Sequence, residues 1–141
     1  MQFTPENCDK ILRGEKTQTR RVVKEGDKAE LWVGRVLHNG RLKWELDGDY
    51  AVQPGRGKHS VARIKLLDIR REPVQHITAD DARAEGITLD ISDGDYSKLL
   101  LDTWALEAFE SLWDSINTAK GKRWADNPAV WVLQFELVKD N

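Results

Sequence analysis

The amino-acid sequence predicts a single α+β domain whose strands curl into a small barrel. Three observations predict this class: hairpin signals packed into the first half, one long helical repeat in the second half, and a closing run of β-branched and aromatic residues. Antiparallel strands and helices that occupy separate parts of a chain are typical of α+β folds. The chain has 141 residues, of which 40% are apolar and six are Trp, and this is enough to form one hydrophobic core. We therefore expect residues 1–141 to be a single domain.

The chain opens with a short helix that we predict from Pro5 to Arg13. Thr4 can cap its first turn, Pro5 suits the first helical position, and Gly14 is a natural stop. Polarity then alternates from residue 17 to residue 23, which predicts the first strand.

Three further segments continue the predicted sheet. An apolar run covers residues 29–37, and Asn39-Gly40 predicts a tight hairpin that leads into a strand over 42–46. The Gly/Pro-rich segment 53–59 predicts a loop, and alternation over 60–69 predicts another strand.

The second half carries two helices and the last strand. Thr78 can cap a short helix that ends at Gly86, and apolar residues three or four apart predict a long helix from Tyr96 to Asn117. Residues 130–138 predict a strand. We expect it to complete the sheet that the first strand begins, because barrel closure removes exposed edges.

Charge is unevenly distributed along the chain although the net charge is only −2. Six basic and two acidic residues lie between Asp9 and Lys24, whereas two basic and eleven acidic residues lie between Glu72 and Asn117. Such separation suits a small anionic ligand and disfavours the coating of a long polyanion. Two ordinary solvated faces would explain the pattern equally well.

The number of cysteines and the length of the apolar runs indicate the cellular compartment, and the number of His and Cys residues limits which metal sites can form. Cys8 is the single cysteine, so no internal disulfide can form, and the longest nearly apolar run, residues 128–135, is too short to cross a bilayer. We expect a cytoplasmic protein. Three His and one Cys cannot form the His/Cys/Cys zinc site of nucleobase deaminases. We therefore expect neither a metal nor another cofactor.

Cations and hydroxyls are concentrated directly after the first helix, in GEKTQTRR. The pattern G-x-K-T-x-T-x-R resembles the signature of ASCH domains, small barrels of the PUA-like superfamily. It comprises Gly14, Lys16, Thr17, Thr19 and Arg21.

Two more segments strengthen the resemblance, which spans nearly the whole chain. Residues 77–87, ITADDARAEGI, resemble the family helix that carries an acidic residue, and NPAVWVLQF resembles its closing strand. The resemblance implies two activities of different class. Some small ASCH proteins are amidohydrolases that remove acyl groups from the N(4) nitrogen of cytosine nucleosides such as N(4)-acetylcytidine, whereas other ASCH and PUA-like domains are implicated in RNA binding. Fold alone does not choose between a nucleoside substrate and RNA.

Carried over by position, the family's catalytic Lys, Thr and Glu are Lys16, Thr19 and Glu85. Thr19 would attack the acyl carbon, and Lys16 would activate it if burial or nearby arginines lower the lysine pKa from its usual value of about 10.4. Glu85 would either relay a proton to the leaving amine or hold Lys16 in place. On one continuous strand Lys16 and Thr19 would face opposite ways, so we expect Lys16 to lie in the turn after Gly14.

Four residues complete the predicted site as substrate contacts: Arg21, Arg20, Thr17 and Trp124. Arg21 shares a strand face with Thr19 and suits a carbonyl oxygen or a ribose hydroxyl, and Trp124 can stack on a base. Arg56 and Lys58, in the loop QPGRGK, are weaker candidates at the rim. The alternative for all these cations is a structural one, since cations near a helix C-terminus favour its dipole.

Overall fold

The computed structural model describes residues 1–91 and 94–138 as three helices, seven strands and two 3-10 turns. In chain order they are α1 (Pro5–Leu12), β1 (Gln18–Val22), β2 (Asp27–Glu30), β3 (Arg35–His38), β4 (Arg41–Glu45), β5 (Asp49–Val52), β6 (Ala62–Pro73), a 3-10 turn (Val74–His76), α2 (Ala79–Ala84), α3 (Lys98–Ile116), a second 3-10 turn (Trp124–Asp126) and β7 (Ala129–Leu137).

The helices begin and end close to the predicted residues. The Thr4 hydroxyl accepts a hydrogen bond from the Asn7 N–H at 3.2 Å, and the Thr78 hydroxyl caps α2 in the same way. Gly14 and Gly86 follow α1 and α2 with φ values of +77° and +102°, a region that glycine enters without strain. Helix α3 starts two residues later than predicted, after the cap Ser97.

The larger sheet contains four antiparallel strands in the order β1-β7-β6-β5. Its first and last strands in sequence pair directly, with Thr19 opposite Leu133 and Arg21 opposite Trp131. The predicted pairing of the closing strand with the first strand is therefore confirmed. Successive side chains of a strand point to opposite faces of the sheet, so Thr19 and Arg21 lie on one face of β1 and Gln18 lies on the other. Opposed residues share a face, so Leu133 and Trp131 lie on the face of Thr19 and Arg21.

The smaller sheet has the order β2-β3-β4, and here one prediction is wrong. Residues 29–37 do not form one strand but a hairpin, β2 to β3, that turns at 31–34. Gly34 has φ +72°, which ends the extended conformation, and Glu30 and Arg35 form an ion pair across the turn at 2.7 Å. Asn39-Gly40 makes the predicted tight hairpin, whereas β5 was not predicted.

The predicted α+β class with mainly antiparallel strands is confirmed. Within residues 1–91 and 94–138, the strand pairs form two sheets, and no ladder of main-chain hydrogen bonds joins the two into one closed barrel. None of the helices in this part of the chain is both long and apolar enough to span a membrane.

Strand β7 divides two hydrophobic clusters. Trp131, Leu133 and Phe135 pack on one face against α1 and the smaller sheet, whereas Val130 and Val132 pack on the other face against α2 and α3. All five are at most 2% exposed. Burial of each such side chain stabilises the fold by about 1.5–3 kcal/mol. This rigid centre fixes β1, its neighbour, and hence the side chains that β1 carries.

Candidate active site

The turn between α1 and β1 is held by main-chain hydrogen bonds at both ends. The Lys16 N–H donates to the Lys10 carbonyl at 3.2 Å, and the Thr17 N–H donates to the Ala84 carbonyl at 2.7 Å. Since β1 begins at Gln18, Lys16 lies outside the strand. The prediction that Lys16 belongs to the turn after Gly14 is confirmed.

The Lys16 ammonium is buried among oxygen acceptors. Its side chain is 3% exposed, and Nζ donates to the Gln18 carbonyl at 2.8 Å, the Glu85 carbonyl at 3.0 Å and Glu85 Oε1 at 3.1 Å. Three acceptors use all three N–H groups of the charged form. Burial lowers the pKa of Lys16, and its ion pair with Glu85 opposes that shift only in part.

Glu85 connects the turn to β1. It is the residue that ends α2, it is 6% exposed, and its two carboxylate oxygens bind different cations. Oε1 accepts from Lys16 at 3.1 Å, and Oε2 accepts from Arg20 Nη1 at 3.0 Å. Behind it, a Cβ on Gly86 would lie 3.3 Å from the Lys16 Cβ, so glycine permits this close approach.

Arg20 holds Glu85 from the opposite side. Its side chain is fully buried, and Nη1 also donates to Gln18 Oε1 at 2.6 Å. Nη2 donates to Glu72 at 3.0 Å and to Asp81 at 3.3 Å. Both terminal nitrogens are thus committed to protein acceptors, and only Nε is without a partner. Arg20 is a positioning residue in this structure, and its predicted contact with substrate stays a prediction.

Thr19 precedes Arg20 on β1, and its side chain lies on the opposite face of that strand. It is 5% exposed, and its hydroxyl makes no hydrogen bond to any of the residues that the structure describes. Lys16, Thr19 and Glu85 line the same cavity. The structure therefore places the three predicted catalytic side chains on one cavity and joins Lys16 to Glu85, whereas no hydrogen bond joins Thr19 to either of them.

Arg21 shares the Thr19 face and also lines the cavity. Nη2 donates to the Gln2 carbonyl at 2.7 Å, and the guanidinium lies 4.9 Å from the centre of the Phe3 ring. Burial lowers the pKa of Arg21, although its value stays far above neutrality because guanidinium is such a weak acid.

The cavity has a volume of about 680 Å³, within the range of small-ligand sites. Its lining includes the three predicted catalytic residues. It also includes an apolar wall from the C-terminal half of α3, with the side chains Phe109, Leu112, Trp113 and Ile116. Further cations line it at Lys24, Lys43 and Lys122.

Two predicted substrate contacts do not line this cavity. Thr17 binds Ala84 and Phe135 through its main chain. Trp124 lies in the second 3-10 turn, half-buried, with its ring edge-to-face on Phe109 at 6.2 Å. Its stacking on a base stays a prediction. Of the loop 53–59, Pro54 and Gly55 line the cavity, whereas Arg56 and Lys58 are exposed outside it.

Sequence reasoning missed the lysines of the cavity and the apolar wall. Lys43 and Lys122 lie on different segments, and nothing in their local sequence distinguishes them from solvated lysines, whereas Lys24 belongs to the basic segment that begins at Asp9 but was not singled out within it. The α3 residues were recognisable only as an apolar repeat. Within residues 1–91 and 94–138, no group of three or more His, Cys, Asp or Glu side chains is placed to hold a metal ion.

Fold and site together define a small α+β domain with a buried lysine–glutamate pair that opens into a ligand-sized cavity. The chain has the fold of an ASCH domain. It is similar to an ASCH domain from Lactobacillus crispatus JV V101, with 20% identity, a TM-score of 0.55, and 94% of this chain and 70% of that chain covered. A protein of Enterococcus faecalis V583, assigned to the family model DUF984, is similar with 14% identity and a TM-score of 0.57 at the same coverage of both chains.

The sequence matches no protein-family model. No curated protein is significantly similar to it either.

Proposed function

We propose that the protein is an amidohydrolase that removes the acyl group from N(4)-acylated cytosine nucleosides such as N(4)-acetylcytidine. One observation carries the proposal: the Thr19 hydroxyl, which has no hydrogen-bond partner among the described residues, lines a cavity together with the buried pair Lys16 and Glu85. Amide hydrolysis needs a nucleophile, a base and a proton donor for the leaving nitrogen, and these three residues supply one of each.

In the proposed reaction, Lys16 first passes a proton to Glu85 Oε1, 3.1 Å away. The resulting amine has a lone pair and takes the Thr19 hydroxyl proton as the oxygen attacks the acyl carbon. The C–N bond breaks, and protonated Glu85 gives its proton to the leaving N(4) amine. Water then hydrolyses the acyl ester of Thr19, which releases the carboxylic acid and restores the hydroxyl.

The surroundings suit this chemistry and substrate. Burial favours the neutral amine of Lys16, which makes the first proton transfer easier. The apolar wall formed by Phe109, Leu112, Trp113 and Ile116 suits a flat base or an acyl chain, and Arg21 is available for a carbonyl oxygen or a ribose hydroxyl.

The test is to incubate the purified protein with N(4)-acetylcytidine and to measure cytidine by chromatography. Wild type should release cytidine and acetate, whereas Thr19→Val should not. Val keeps the branched shape that the strand accommodates and removes only the hydroxyl. Equal turnover by both proteins would overturn the assignment of Thr19.

The second candidate is an RNA-binding module without catalysis, which the cations of the cavity favour. Of the predicted backbone contacts Lys16, Arg20 and Arg21, only Arg21 would serve in that case, because the Lys16 ammonium and both terminal nitrogens of Arg20 are bound to protein acceptors. Tight binding of single-stranded RNA at moderate salt, together with no hydrolysis of any acylated cytidine, would establish this alternative.

A further inference from the structure

Charge on the cavity wall is strongly one-sided. Among residues 1–91 and 94–138, Glu85 supplies the one carboxylate that lines the cavity. The lining cations are Lys16, Arg20, Arg21, Lys24, Lys43 and Lys122. A free nucleoside is uncharged, so the proposed catalytic chemistry alone gives no reason for this excess.

Protein carboxylates neutralise only some of these cations. Lys16 and Arg20 bind Glu85, and Lys43 lies 3.3 Å from Asp27. By contrast, Arg21 and Lys24 form no ion pair with the residues that the structure describes.

Arg21 is the more telling of these two. Its side chain is half-buried, and its one hydrogen bond within the described residues is to a neutral carbonyl, that of Gln2. Burial of a cation costs free energy unless an anion compensates it. Within the described residues, the one fully buried donor without a partner is Nε of Arg20, so no Arg21 nitrogen is both fully buried and unbonded. The remaining N–H groups of Arg21 are therefore open to an acceptor from a ligand.

Lys24 lies next to Lys43 on the same wall. The Lys24 N–H and the Lys43 ammonium bind the same oxygen of Asp27, at 2.9 Å and 3.3 Å. Lys24 follows Arg21 by three residues and lies two residues beyond the end of β1. Because the Lys24 side chain takes no part in the bond to Asp27, it is free to turn towards the cavity.

We propose that Arg21 and Lys24 bind a phosphate monoester on the ribose, so that the protein acts on acylated cytidine monophosphates in preference to the free nucleosides. This proposal rests on the proposed function for the acyl chemistry, but not for the binding of the phosphate. A monoester dianion supplies the compensating charge that Arg21 lacks, and guanidinium binds phosphate with two parallel hydrogen bonds.

The experiment separates binding from hydrolysis. Calorimetry should give Kd values for cytidine, for its 5′- and 3′-monophosphates and for a single-stranded RNA octamer, at low and moderate salt. We expect at least one monophosphate to bind about tenfold or more tightly than cytidine at low salt, with the advantage shrinking as salt screens the charges. Equal binding of cytidine and both monophosphates, or tight binding of the octamer alone, would overturn the proposal.

Substitutions locate the phosphate. Lys24→Glu should reduce the ratio of monophosphate to nucleoside affinity to about one, and Arg21→Gln should reduce it in the same direction. Lys28→Glu is the matched control, because Lys28 is exposed, lies four residues away and does not line the cavity. An unchanged ratio in Lys24→Glu, or an equal loss in Lys28→Glu, would contradict the assignment.

The third measurement is the rate at which the protein hydrolyses acetylcytidine and the acetylated monophosphates. Hydrolysis of acetylcytidine and of its monophosphates at the same kcat/KM would refute the inferred preference and leave the proposed function standing. If no acylated form is hydrolysed while the monophosphate still binds through Lys24, the proposed function fails and the phosphate site remains.

Discussion

Lys16 Nζ lies 3.1 Å from Glu85 Oε1 although the two residues are 69 positions apart in sequence. The contact joins the turn after α1 to the end of α2, and the Thr17–Ala84 main-chain hydrogen bond holds the two segments together beside it. Both side chains are almost completely buried, so each depends on the other for compensation of its charge.

The hydroxyl of Thr19 should be essential for turnover and dispensable for stability. We expect Thr19→Val to lose at least about a thousandfold in kcat, because the nucleophile is gone. The midpoint of thermal unfolding should stay nearly unchanged, because this hydroxyl makes no hydrogen bond within the described residues. Thr19→Ser is the control and should keep measurable turnover. A fully active Thr19→Val protein would contradict the catalytic role.

The buried pair should show strong energetic coupling. Glu85→Gln should lower the free energy of unfolding by about 3–5 kcal/mol, because it leaves Lys16 buried without its counter-charge, whereas Lys16→Met should cost less, because Glu85 keeps its ion pair with Arg20. The double variant should cost less than the two single losses together, as measured by a denaturant-unfolding cycle. Strict additivity would show that the two groups do not interact in solution.

The titration of Lys16 should respond oppositely to its two neighbours. Its midpoint, followed by NMR at the lysine Cε, should lie below the ordinary value of 10.5, since burial lowers the pKa. Arg21→Gln removes a nearby positive charge and should raise the midpoint, whereas Glu85→Gln removes a negative charge and should lower it. Shifts in one direction for both variants would contradict the arrangement seen here.

Asp27 should stabilise the protein against acid. Although burial opposes its ionisation, hydrogen bonds from the Lys24 N–H, Trp131 and His38 lower the pKa of Asp27 to about 2. A depressed carboxyl pKa contributes stability above pH 4, and this contribution is lost as pH falls towards 2. Asp27→Asn should therefore lower the free energy of unfolding by about 2 kcal/mol at neutral pH and by much less near pH 2.

The matched control for Asp27 is Asp49→Asn. Asp49 is about half-exposed and pairs with Arg63 on the surface, where an ion pair contributes at most about 1 kcal/mol. If both variants show the same dependence of stability on pH, the buried position of Asp27 is not the cause.

Salt should separate the enzyme from an RNA-binding module. Turnover of free N(4)-acetylcytidine should vary little between low and moderate salt, because this substrate carries no phosphate. Single-stranded RNA should bind weakly and lose affinity steeply with added salt, since the acidic region between Glu72 and Asn117 repels a long backbone. RNA affinity that stays high at moderate salt would contradict this expectation.

Local signals determined the elements of this protein. Caps such as Thr4 and Thr78, and the pair Asn39-Gly40, act through their immediate neighbours, so sequence sufficed to place the helix starts and one hairpin. The prediction of one strand over residues 29–37 was wrong because a run of apolar residues does not reveal a turn. Gly34, with its positive φ, turns the chain within this run. The face alternation along β1 likewise predicted that Lys16 must lie outside the strand to reach the side of Thr19.

By itself the sequence determined the fold class, the order of its elements and the motif that carries Lys16 and Thr19. Tertiary structure alone decided that Glu85 binds both Lys16 and Arg20, that an apolar wall from α3 closes the cavity, and that Lys24 lies beside Lys43 at Asp27. The physical reason is range. Caps, turns and side-chain periodicity act over a few residues, whereas burial and ion pairing join residues that are close only after the chain has folded.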